Sequence, residues 1–146
     1  MSAFLLDVNV LVALFDAAHV HHDAAHSWFG AAGRNAWATC PITENGLIRI
    51  LSHPKYPTVT ATSAELIERL TVFRDSGGHA FWPDDVSLTD PRLFRADRIG
   101  GHGKVTDAYL VGLAARHGGK LATFDARIPS GALVEPGTQV VELIPA

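Results

Sequence analysis

Cysteine is nearly absent from this chain. Cys40 stands alone, so no disulfide can form within it, and stability has to come from a packed core. Its place before Pro41, at the end of the apolar stretch Ala36-Trp37-Ala38-Thr39, marks a buried small hydrophobe rather than a reactive thiol. Long hydrophobic runs are missing too, since none reaches the ~18 uninterrupted apolar residues of a membrane span. The segment from Ala3 to Phe15 is apolar, but it lacks a basic leading region, and Asp7 and Asn9 interrupt it, which argues against a secretion signal. The expectation is a cytoplasmic protein with no membrane contact. A basic excess is also lacking: 12 Lys and Arg stand against 15 Asp and Glu, a formal net charge of −3. That argues against a large nucleic-acid footprint. It leaves room for an enzyme that meets phosphates through a metal and a few arginines. Repeats, low-complexity tracts and linkers are absent, so a single domain over residues 1–146 is expected. What is present, 47% hydrophobic residues and only 18% charged ones, is enough for a real core and excludes a disordered chain.

The hydrophobic pattern alternates between short strands and amphipathic helices. Ala3 to Leu6 reads as a buried strand and Val8 to Asp16 as a core helix, apolar almost all round. His19 to Ala32 reads as a second helix with Ala24, Ala25, Trp28 and Phe29 on its buried face. Ala36 to Cys40 returns as a strand, and Pro41 opens a helix through Leu51. Ser63 is the expected N-cap of a helix whose stripe is Leu66, Ile67, Leu70 and Phe73, ended by Gly77-Gly78. A short strand follows at His79 to Trp82, then a brief helix capped by Asp90 and running to Asp97. The glycine-rich Gly100-Gly101-His102-Gly103 precedes a helix from Lys104 to His117, and strands at Lys120–Phe124 and Gln139–Ile144 complete an α/β sheet.

Four acids occupy the places where strand ends and helix starts meet. Asp7 follows the first strand, Glu44 opens the third helix, Asp107 lies in Val105-Thr106-Asp107-Ala108-Tyr109-Leu110, and Asp125 ends Leu121-Ala122-Thr123-Phe124. In an open parallel α/β sheet these ends share one edge, where ligands bind. Gathered there, they repel: a like-charge pair at ~4 Å costs about 4 kcal/mol at an effective dielectric of 20. Hard Mg2+, or Mn2+, prefers carboxylate oxygen and water and would relieve that repulsion. With these four set aside, 11 of the 15 acids remain against 12 basic residues, so the acidic excess lies in the candidate site. Singly, three of the acids have plainer explanations. Asp107 and Glu44 suit the positive end of a helix, and Asp125 suits a turn. Asp7, between Leu6 and Val8, is costly without a partner.

The segments Leu6-Asp7-Val8-Asn9, Thr43-Glu44-Asn45-Gly46, Thr106-Asp107-Ala108-Tyr109 and Thr123-Phe124-Asp125 together resemble a PIN domain. More narrowly, they resemble the toxin ribonucleases of VapBC-type toxin–antitoxin pairs. The resemblance implies a three-layer α/β/α sandwich around a mostly parallel sheet. It also implies an acidic pocket for Mg2+ or Mn2+, endonucleolytic cleavage of RNA, a small cognate antitoxin as partner, and a homodimer. By position, Asp7, Glu44, Asp107 and Asp125 match the family's four acids. Asp7 and Asp107 are expected to contact the metal most directly, with Glu44 and Asp125 holding metal-bound waters or a second ion. Asn9 and Thr123 are expected to orient carboxylates, and Thr106 either to do the same or to cap its helix.

Three further features have competing readings. His19, His21, His22 and His26 include an i, i+4 pair, but lack the further ligands of a tetrahedral zinc set, so a solvated helix start is the better reading. Arg92, Arg95, Arg98 and Lys104 flank the glycine-rich loop and are either RNA phosphate contacts or ordinary surface charge. Arg49 is expected to form a surface ion pair. Two other functions remain open: a phosphatase with Asp7 as nucleophile, and a non-catalytic binding module. The first commonly needs an acid two residues on, where this chain has Asn9.

Overall fold

A computed structural model describes residues 2–135 and 137–146. Five short strands, β1 (Phe4–Leu6), β2 (Trp37–Thr39), β3 (His79–Phe81), β4 (Lys120–Thr123) and β5 (Val141–Leu143), form one sheet in the order β3-β2-β1-β4-β5. Every pairing is parallel. Five α-helices carry the chain between strands: α1 (Val8–Phe15), α2 (His22–Ala31), α3 (Pro41–Leu51), α4 (Ser63–Arg74) and α5 (Val105–Arg116).

Strand alternation explains the layers. Leu6, Trp37 and Ala122 point to one face and pack with α1 to α4, including Val10, Leu11, Leu47, Leu51, Leu66 and Leu70. Their neighbours Leu5, Ala38 and Leu121 point to the other face and pack with Leu110, Val111, Leu113 and Ala114 of α5, and with Trp82 and Phe94. A sheet covered on both faces needs apolar residues at successive positions, which is why these strands read as continuous runs. The result is the α/β/α sandwich expected from the sequence, with the sheet parallel throughout.

Several local expectations shift. α2 begins at His22 rather than His19, because His19, His21 and His22 turn back under the end of α1. Thr62, not Ser63, caps α4: its hydroxyl accepts from the Glu65 backbone N–H at 3.1 Å and bonds the Glu65 carboxylate in return. The segment after Asp90 is a turn in which the Asp90 carboxylate takes the Arg92 N–H, and only Ala96–Arg98 forms a helical turn. Gly118, at φ +68°, supplies the left-handed stop of α5 expected from the Gly118-Gly119 pair. Cys40 is buried, as its sequence context implied, and burial pushes its thiol pKa up. Among the described residues, no helix is long and apolar enough to cross a membrane.

Candidate functional site

The chain runs outward from β1 to β2 and β3, then returns to the other side of β1 with β4 and β5. Such a reversal opens a crevice at the carboxyl ends of the two strands that flank it, here β1 and β4. Asp7 follows β1, Thr123 ends β4 with Asp125 two residues on, and Asp107 lies in the first turn of α5, the helix that leads into β4. The topology therefore collects three aspartates from distant parts of the chain.

Asp7 is only 7% exposed. Its Oδ1 accepts from the Val8 N–H at 2.8 Å, which makes it the N-cap of α1, and its Oδ2 accepts from the Thr123 hydroxyl at 2.8 Å. That hydroxyl is fixed in turn. Thr123 Oγ1 accepts from Asn9 Nδ2 at 3.2 Å and from the Asp125 N–H at 3.1 Å, while Asn9 Oδ1 accepts from the Phe124 N–H at 3.4 Å. Burial pushes the Asp7 pKa from 3.8 up to about 6, and the charges of Asp107 and Asp125 add to the rise against the two hydrogen bonds. Asp107 is raised as well, first by burial and then by Asp125, with Lys104 opposing. Asp125 is held below its ordinary value, chiefly by the Arg127 N–H at 2.8 Å. The turn contact of Asp125 thus coexists with its electrostatic effect on Asp7 and Asp107.

Glu44 stands apart from this trio. It lies in the first turn of α3, after β2, and the acids acting on Asp7 are Asp107 and Asp125. Its Oε2 accepts from the buried Thr39 hydroxyl at 2.6 Å and from Arg74 Nη1 at 3.1 Å. Arg74, at the end of α4, is the ion-pair partner that nothing in the sequence pointed to; Arg49, the expected one, is simply exposed.

A PIN-domain family model matches residues 4–132, which contain all four candidate acids and the side chains that bond to them. The chain belongs to the PIN-domain family. Ribonuclease VapC39 of Mycobacterium tuberculosis is 48% identical over 128 residues, covering 88% of this chain and 92% of that protein. Ribonuclease VapC38 of the same organism is 43% identical over 136 residues, with 93% and 94% covered. Ribonuclease VapC44 is 42% identical over 126 residues, with 85% and 87% covered. Within its family the PIN domain is therefore of the VapC type.

The remaining polar features of the PIN domain serve its frame. His22 Nδ1 lies 2.7 Å from the Ala13 carbonyl and His26 Nε2 3.1 Å from that of Leu14, while Arg69 Nη2 donates to the Phe15 carbonyl at 2.9 Å. These contacts satisfy the last carbonyls of α1, which a helix cannot satisfy itself. Asp16, which no motif marks, is 2% exposed and accepts from Tyr56 Oη at 2.7 Å, Thr58 Oγ1 at 2.6 Å and the Ala18 N–H at 3.0 Å. The only hint in the sequence was an acid closing an apolar helix. Of the basic residues near the glycine-rich loop, Arg92 pairs with Asp90, Arg95 reaches the Val134 carbonyl, Arg98 is exposed, and Lys104 donates to the Arg127 carbonyl at 2.8 Å. Thr106 is exposed inside the first turn of α5, with Lys104 at the N-cap, so it does not cap the helix.

Chemically, the PIN domain holds a buried carboxylate on which the charges of two more act. Among the described residues no basic side chain pairs with Asp7. Hard oxygen donors of net negative charge suit a hard divalent cation. Among the described residues no three His, Cys, Asp or Glu side chains converge closely enough to chelate one ion unaided. An ion here would keep several waters, which is how Mg2+ is usually held.

Proposed function

We propose that this PIN domain is a metal-dependent endoribonuclease, the toxin of a toxin–antitoxin pair, and that it hydrolyses RNA phosphodiester bonds at Asp7, Glu44, Asp107 and Asp125. The single observation carrying the reading is Asp7: 7% exposed, rigidly held, pushed up to about 6 and faced by two further aspartates without a paired cation. The ribonuclease names of its VapC-type relatives favour RNA as substrate. Mg2+ is the ion of choice, with Mn2+ able to replace it.

When bound, such an ion lowers the pKa of a coordinated water and offsets charge on the scissile phosphate. The chain's own residues then have definite tasks. Asp7 and Asp107 are the direct ligands in this reading. Thr123 and Val8 fix both Asp7 oxygens, and Asn9 fixes Thr123, so the ligand is preorganised. Asp125 adds charge at the rim, and Glu44 holds water or a second ion. Asn9 is held in this scaffold through both its oxygen and its amide nitrogen, and as an amide it supplies no second acid for the alternative phosphatase chemistry.

The partners of this reading are RNA, a small antitoxin that sets a basic side chain into the acidic cup, and a second copy of the chain. An arginine fits that cup well, because its guanidinium pairs bidentately with carboxylates. Light scattering on the purified protein tests the dimer, whose mass would be twice 15.6 kDa. The decisive experiment is cleavage of RNA by purified protein, with Mg2+ restoring activity after EDTA treatment. Asp7→Asn and Asp107→Asn should each abolish it by at least about a hundredfold, and cleavage at the wild-type rate by either variant rejects the assignment.

A further inference from the structure

We propose that Arg74 is a nucleic-acid contact residue: it holds Glu44 in the free protein and exchanges it for a phosphodiester oxygen when RNA binds. This rests on the ribonuclease reading above and adds a subsite to it.

The geometry of the pair is the first argument. Arg74 Nη1 alone straddles the carboxylate, at 3.1 Å from Oε2 and 3.4 Å from Oε1 of Glu44. A guanidinium carries five N–H donors in a planar fork that matches carboxylate or phosphate two bonds at a time. Here the fork is not engaged, and among the described residues no other partner takes its remaining N–H groups. The side chain is 36% exposed and lies over the ring of Phe81, 5.2 Å from its centroid, and Phe81 is itself 44% exposed. A cation beside an exposed aromatic is a combination found in proteins that bind single-stranded nucleic acid.

The second argument is that Glu44 keeps its place when Arg74 leaves. Thr39 is fully buried, and its hydroxyl donates to Glu44 Oε2 at 2.6 Å. Thr39 Oγ1 also lies 2.7 Å from His79 Nε2. The carboxylate can only accept, so the single hydroxyl proton points to Glu44, and His79 must donate through Nε2. The chain from His79 through Thr39 to Glu44 is complete without the arginine. The pair is partly exposed and therefore weak, and the guanidinium fork matches phosphate as well as carboxylate, so an RNA phosphate arriving at the exposed side of Arg74 takes it over. Glu44 then has no counterion at the step where substrate is present.

The test measures binding, apart from turnover. A fluorescein-labelled single-stranded RNA is titrated with full-length protein in EDTA, over a range of salt concentrations. Arg74→Met should weaken binding about tenfold, the lower end for a charge-assisted hydrogen bond. The slope of log affinity against log salt should become shallower by about 0.7, the value of one lost phosphate contact on a single strand. Arg74→Lys should recover the slope and only part of the affinity, since it restores charge without the planar fork. In the absence of RNA, Mn2+ binding followed by paramagnetic resonance should be at least as tight in Arg74→Met as in wild type, because Glu44 has lost its counterion. Unchanged RNA affinity and slope in Arg74→Met, beside a wild type that cleaves RNA normally, removes the role of Arg74 alone. Weaker Mn2+ binding in that variant also overturns the exchange. Failure of the wild type to bind or cleave RNA overturns the ribonuclease reading, and this proposal with it.

Discussion

Asp7 makes the acidic centre a source of instability in the metal-free protein, and Asp7→Asn measures it. The carboxyl rises from 3.8 to about 6 on folding. At 1.36 kcal/mol per pH unit, that gap makes the ionised form about 3 kcal/mol less favourable in the fold than in the unfolded chain. Because the folded pKa lies above the unfolded one, the stability tied to the proton is fully present below 3.8 and is lost as pH rises through about 6. Asparagine has the same shape and no charge, so it removes the penalty, but it is an imperfect replacement. Its oxygen can keep the Val8 N–H, whereas its amide nitrogen meets Thr123 Oγ1, which already accepts from Asn9 and Asp125. The lost Thr123 bond costs about 1–2 kcal/mol. The net expectation in EDTA at pH 7.5 is a gain of about 1–2 kcal/mol, or a Tm rise of about 3–7 °C for a chain of this length. Near pH 4 the gain should vanish and reverse. Urea unfolding followed by tryptophan fluorescence, at both pH values, reads the difference directly. Excess Mg2+ should stabilise the wild type at pH 7.5 and leave Asp7→Asn unchanged. A variant that is less stable than wild type in EDTA at pH 7.5, or a difference that does not vary with pH, would refute the account of Asp7 as an uncompensated buried charge.

Two further predictions concern the frame around the site. Asp16→Ala should cost about 3 kcal/mol, since it strands the Tyr56 and Thr58 hydroxyls and the Ala18 N–H; denaturant titration checks this, and a loss under 1 kcal/mol contradicts it. The Asp16 carboxyl is held below its ordinary value despite its burial, by its hydrogen bonds from Thr58, Tyr56 and Ala18, so its contribution should disappear as pH falls below about 4. Gly119→Ala should destabilise by at least about 2 kcal/mol, because a Cβ there would overlap the Ala3 carbonyl oxygen beside β1 and crowd the Trp82 ring; a neutral result by thermal unfolding would contradict this packing.

Much of the fold was legible because it depends on local pattern. The strands at 4–6, 37–39 and 120–123 are short and built around apolar residues, as buried parallel strands require, and each lies within the stretch expected from the sequence. Helix boundaries were less legible where tertiary partners decide them. Nothing in His19-Val20-His21-His22 says that these side chains and backbone groups will close off α1, so α2 starts three residues later than the sequence pattern suggests. Thr62 and Ser63 are both good caps, and only the backbone direction chooses between them.

The sequence by itself determined that this chain carries four acids at strand–helix junctions, and also the elements that present them, because both follow from residue type and period. Only the tertiary structure decided how the acids are grouped. Strand order places β4 beside β1, which joins Asp125 and Asp107 to Asp7, while Glu44 follows β2 on the other side and meets Arg74. Strand order and a contact spanning thirty residues are long-range properties, fixed by how whole layers pack, and no local stretch of sequence encodes them.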